Sequence, residues 1–110
     1  MRLDKVGYKG VRVGVALPDY DLNGKIGRDK RSWAIHSNGK VYHDNQDRPY
    51  TEKMPKRSVV ELELDRDDGT IKFFVNGSDQ GVAFTSPDFM DMELFPAVRV
   101  SEGSKLTLLD

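Results

Sequence analysis

Asp19-Tyr20-Asp21-Leu22-Asn23-Gly24 sets oxygen ligands at alternate positions ahead of a glycine, with an apolar Ile26 beyond, which is the opening of a loop that could wrap calcium. Such a site would use Asp19, Asp21 and Asn23. Its closing ligand fails, because the twelfth position is Lys30, a cation where a bidentate carboxylate is required. A polar surface loop is the simpler reading. Glu61, Glu63 and Asp65 share one face of an alternating run, with Asp68 just beyond, and paired carboxylates can act as nucleophile and acid on a glycosidic bond. Same-face neighbours on a strand lie about 6.6 Å apart, against the ~5–5.5 Å a retaining pair needs. Asp68 also falls inside a turn, so a solvated outer face explains the three carboxylates of the strand better. The chain has no cysteine, and neither His36 nor His43 has a nucleophile partner visible in the sequence, so no catalytic grouping is expected.

The remaining polar clusters point away from other chemistries. Lys25, Arg28, Lys30 and Arg31, and then Lys53, Lys56 and Arg57, are interleaved with Asp29 and Glu52 and lack the aromatic spacing of a single-strand reader. Seventeen basic against eighteen acidic residues leave a net charge of −1, which offers no field for nucleic acid or an acidic membrane. Asn76-Gly77-Ser78 fits a glycosylation acceptor, yet Asn-Gly is also what a tight hairpin requires, and the turn is the reading adopted. No window approaches the ~20 apolar residues of a membrane span, and residues 1–5 lack the apolar core of a signal peptide. A cytoplasmic or nuclear location is expected.

What must position any site is a set of short strands. Val60, Leu62 and Leu64 alternate with the three carboxylates; after Asp67-Asp68-Gly69, Ile71, Phe73 and Val75 resume the alternation, and Asn76-Gly77 offers a second reversal. Strands are predicted at 11–16, 32–37, 40–43, 59–65, 70–75, 82–84, 95–100 and 105–109, with only a helical turn around 88–94. That spacing predicts an all-β, antiparallel β-sandwich rather than an α/β fold. With 110 residues, 37% of them hydrophobic, the chain suits one domain over 1–110 with one core. Trp33, flanked by Ile35 and Val41, is expected to anchor that core. Three long polar intervals, 17–31, 45–57 and 85–93, are where loops could carry recognition.

The run S-V-V-E-L-E-L-D-R-D-D-G-T-I-K-F-F-V-N-G-S-D-Q-G-V-A-F (58–84) closely resembles the SPRY domain. V-G-V-A (13–16), I-G-R-D-K-R-S-W (26–33), N-G-K-V-Y-H-D (38–44) and L-F-P-A-V (94–98) follow that family's order, and S-W, V-Y-H-D and D-D-G-T-I-K-F look most like the branch that carries a SOCS box and recognises substrates for ubiquitin ligases. The resemblance implies a concanavalin-like jelly roll and a non-catalytic module that recognises a protein or peptide, with no cofactor. It also implies strands ahead of V-G-V-A for which residues 1–10 leave little room, so a further segment or another chain is expected to cover the exposed edge. In that branch the tyrosine of Y-H-D lines a shallow peptide pocket with a residue just after V-G-V-A and a late pair. The matching positions are Tyr42, Leu17, and Ser101 with Glu102. Only Tyr42 keeps the family's residue type, so the same peptide is not expected to bind. The expected surface comprises Tyr42, Leu17, Asp19, Tyr20, Arg48, Tyr50, Ser101 and Glu102, with the Glu102 rim favouring a basic partner. Alternatives are a lectin-like sugar platform using Tyr20, Tyr50 and Asn45, and the calcium loop.

Overall fold

The alternation at 60–75 becomes two paired strands in the computed structural model, which describes residues 1–5, 10–19, 26–100 and 105–107. In chain order the strands are β1 (Arg2–Lys5), β2 (Val11–Ala16), β3 (Ser32–His36), β4 (Lys40–His43), β5 (Gln46–Pro49), β6 (Val60–Asp65), β7 (Thr70–Val75), β8 (Ser78–Thr85), β9 (Phe95–Val100) and β10 (Lys105–Thr107). A single helical turn, α1 (Asp88–Asp91), joins β8 to β9. Asp65 closes the β6–β7 turn by accepting the Asp67 and Asp68 amides at 3.0 and 3.1 Å. Asn76 and Gly77 both sit at positive φ, 52° and 82°, as a two-residue hairpin between right-twisted strands requires.

One layer runs in the order β5-β4-β3-β2-β9, every pair antiparallel. The other contains β6-β7-β8, and β1, paired to β10, lies against the start of β6. There the Leu3 amide donates to the Ser58 carbonyl at 2.8 Å and the Val60 amide to the Met1 carbonyl at 2.6 Å. Val11, Val13, Val15, Trp33, Ile35 and Val41 from the first layer meet Leu3, Val60, Ile71, Phe73 and Ala83 from the second, with Met54 and Phe89 closing the ends. This is the expected antiparallel sandwich. Trp33 is 3% exposed, as a core anchor should be.

The pattern did not announce β1 and β5, and it placed only the end of β8. β1 occupies part of the edge expected to lie bare, although among the described residues no strand other than β7 lies beside β6 from Glu61 to Asp65. The charges of exposed Glu61 and Glu63 on that edge oppose pairing with another chain.

β5 and β8 are the neighbouring edge strands of the two layers, and side chains stitch them together. The Arg48 guanidinium donates to the Ala83 carbonyl, and Thr51 Oγ1 bonds Gln80 Oε1 at 2.6 Å. The β7–β8 register shifts between Lys72 and Phe74, and the Tyr50 hydroxyl enters that irregularity, accepting from the Phe73 amide at 3.3 Å and donating to the Gly81 carbonyl. Tyr50→Phe leaves both groups without their bridge, and an unsatisfied buried polar group costs about 1–3 kcal/mol. Urea denaturation is expected to show a lowered midpoint; an unchanged one would mean that the bridge contributes nothing. Burial holds the Tyr50 hydroxyl above its ordinary 10.0, so the folded state binds this proton better than the unfolded chain. The contribution is fully present below pH 10 and fades as pH rises through the folded value; the Tyr50→Phe protein should therefore lose less of its stability in alkali than the wild type.

Candidate functional site

Because Val41 turns inward, Tyr42 next to it turns outward, onto the outer face of the five-stranded layer. Arg12 reaches the same face from β2 by the same alternation, between buried Val11 and Val13. Its guanidinium carbon lies 4.0 Å over the centre of the Tyr42 ring, a cation–π stack. Arg12 Nη1 also donates to the Ile26 carbonyl at 2.8 Å, so the stack is tied to the loop that precedes β3. On the far side the Tyr42 hydroxyl accepts from Asn38 Nδ2 at 3.3 Å, and the His36 ring stands 5.8 Å away, tilted by 50°. Lys40 and Asp47 pair at 3.3 Å beside it.

The centre of the face is built from the smallest residues. Gly14 lies opposite Ala34, and a Cβ on Gly14 would overlap the Trp33 carbonyl oxygen. The loop behind the site is clamped in place. Ser32 Oγ accepts the Gly27 amide at 2.7 Å and donates to Asp29 Oδ1 at 3.2 Å, while the Asp44 and Asn45 amides reach back to the Asp29 and Gly27 carbonyls at 2.9 and 3.1 Å. Gly27 abuts the Tyr42 Cβ at a φ of 88°, so no side chain fits there. Tyr42 is thus a half-buried aromatic held on several sides before any partner arrives.

The other expected site residues lie elsewhere or serve the fold. Leu17 packs against the core, and its amide donates to the Arg31 carbonyl at 2.8 Å. Arg48 and Tyr50 reach the opposite side of the layer from Tyr42 and hold β8. Their binding would require those bonds to break. Tyr20, Asp21, Asn23, Ser101 and Glu102 lie outside the described residues. Arg12, His36, Asn38 and Lys40 are not among the surface residues expected from the sequence. Arg12 alone could have been, as a cation inside the apolar run V-R-V-G-V-A.

Asp19 accepts a hydrogen bond from Arg31 Nε at 2.6 Å, and that bond holds its carboxyl below the ordinary carboxylate value. The first oxygen of the calcium loop is therefore already engaged by a guanidinium. Millimolar calcium is expected to leave the melting temperature unchanged, since a bound ligand must stabilise the native state. A reproducible rise that Asp21→Ala removes would overturn this. A sugar platform would need Tyr50 exposed as a flat ring. Instead the ring is half-buried, edge-on to Phe73 at 6.1 Å, with its hydroxyl in use. A cleft of about 720 Å³ runs between Thr51, Met54, Val75, Asn76 and Gln80, and the Thr51–Gln80 bond already uses part of its polar lining.

The comparison with known proteins agrees with this architecture. The family model of the SPRY domain matches residues 2–109. ATP-dependent RNA helicase DDX1 of Xenopus laevis is 33% identical over 95 residues, which cover 86% of this chain and 13% of that protein. The chain therefore spans only a small part of that relative's length. A two-layer antiparallel sandwich, the D-D-G-T and N-G reversals at their expected turns and a family match from end to end have one reading: the chain belongs to the SPRY domain family.

Proposed function

We propose that this domain recognises a protein or peptide partner, without catalysis, through the outer face around Tyr42 and the loops beside it. SPRY domains are as a class protein-interaction modules. The observation that carries the assignment to this face is the Arg12–Tyr42 stack, an aromatic and a guanidinium fixed against each other at 4.0 Å. Tyrosine and arginine are the residue types on which interfaces concentrate their energy, and holding them in place beforehand reduces the cost of ordering them on association.

Substrate recognition for a ubiquitin ligase, which the SOCS-box resemblance implies, is one setting for such a face. A helicase relative at 33% identity supplies another, in which the module serves a larger protein. Both rest on the same surface. The test is to capture a partner with the isolated domain and map its footprint by amide chemical shifts. Perturbations at Tyr42, Arg12 and Asn38 support the reading, and a footprint confined to Glu61, Glu63 and Asp65 contradicts it.

A further inference from the structure

Four large apolar side chains are exposed among the described residues, and two of them, Met90 and Met92, lie two positions apart at 51% and 41% exposure. Folding has not failed to use this segment. Phe89, just before them, is 0% exposed and meets the Trp33 ring edge-on at 4.8 Å, so α1 is pinned to the core by one residue while Met90, and Met92 at its end, are turned out. The β6–β7 turn is drawn onto the same place: Arg66 Nη1 donates to the Met92 carbonyl at 2.7 Å, and Met90 packs beside Gly69.

The two segments that meet there carry five carboxylates. Asp67 and Asp68 come from the turn, and Asp88, Asp91 and Glu93 from the segment around α1. Arg66 is the one basic residue in 66–69 and 86–95, and its guanidinium is spent on backbone carbonyls. Both features are fixed by the fold rather than by a loose loop.

We propose that this face, separate from the one around Tyr42, docks a short basic amphipathic segment of a partner protein, with apolar side chains on Met90 and Met92 and Lys or Arg facing the rim. Methionine is unbranched and polarisable, so it packs against apolar groups of many shapes. An amphipathic helix offers such a partner its stripe of apolar residues with flanking charge. The sign of the rim chooses among occupants. Anionic lipid and nucleic-acid phosphate are repelled by five carboxylates, and so is the same face of a second copy. A basic segment is attracted, fastest at low salt.

The probe is a synthetic peptide of about 16 residues with Leu and Lys at helical spacing, titrated by fluorescence against the wild-type domain, beside a peptide in which every Lys is Glu. The Lys peptide should bind, more weakly as salt rises, and the Glu peptide should not. Met90→Ser with Met92→Ser, and separately Asp91→Asn with Glu93→Gln, should each weaken binding about tenfold or more. These side chains are exposed, so melting temperatures serve as the check that the variants remain folded. Failure of the Lys peptide to bind, equal binding of the Glu peptide, or variants within about twofold of wild type would overturn the proposal. So would sedimentation showing that the domain pairs with itself through this face, lost in the methionine variants. Tyr42→Ala, run beside them, should bind the Lys peptide as the wild type does, which keeps each of these outcomes separate from the Tyr42 reading.

Discussion

Trp33→Ala is expected to unfold the domain or remove most of its stability. Truncating a buried large aromatic costs about 3–5 kcal/mol, and a domain of this size has about 5–15 to lose. The residue is 3% exposed in β3, an inner strand of its layer. Its ring stacks on His43 at 4.6 Å and 7°, and it receives the edge of Phe89 at 4.8 Å. His43 is positioned in turn, its Nδ1 lying 2.9 Å from the Ser32 carbonyl. Removing the indole therefore empties the space between the five-stranded layer and α1 and leaves both neighbours without their partner. Chemical denaturation reads the effect directly as a lowered midpoint. An unchanged midpoint would mean that the ring contributes nothing to the core, and Trp33→Phe should retain much of the stability that Trp33→Ala loses.

The core was legible in the sequence because burial and the period of two leave a direct trace. Val60, Leu62 and Leu64, then Ile71 and Phe73, alternate with polar residues, and the structure buries or half-buries those same positions. β5 left no such trace. Gln46, Asp47, Arg48 and Pro49 are all exposed on an edge strand, and what holds them is a hairpin turn at Asp44 and Asn45, both at positive φ. Asp-Asn was the available signal, weaker than Asn-Gly because asparagine tolerates that conformation less freely than glycine. β1 was obscured by its brevity; its place depends on pairing with β10 and residues 57–60, more than 50 positions away.

The site was half legible. Tyr42 could be named from a motif, but its neighbours are set by register: Arg12 stands opposite His36, and Ala34 opposite Tyr42. No local pattern encodes which strands lie side by side. Arg48 and Tyr50 looked available for the complementary reason. Polar side chains in a long interval resemble a binding loop until the second layer appears and takes their hydrogen bonds.

Tyr42→Ala carries the second large effect. The ring is the floor for the Arg12 guanidinium and the acceptor for Asn38, so its loss removes an anchor and the stack that orients the guanidinium. Anchors of this kind cost about 2 kcal/mol or more when truncated, roughly a thirtyfold weaker complex. The loss should appear as faster dissociation, whereas a charge at the rim acts chiefly on association, so Glu102→Lys should mainly slow the approach of a basic partner. Tyr42 is only half-buried, on the outer face rather than in the core cluster, so the variant is expected to keep the fold.

The most direct measurement is surface-resonance kinetics of a captured partner on wild-type and Tyr42→Ala domains of matched melting behaviour. Recognition through the outer face predicts dissociation at least about tenfold faster from the variant; the same rate from both would contradict it.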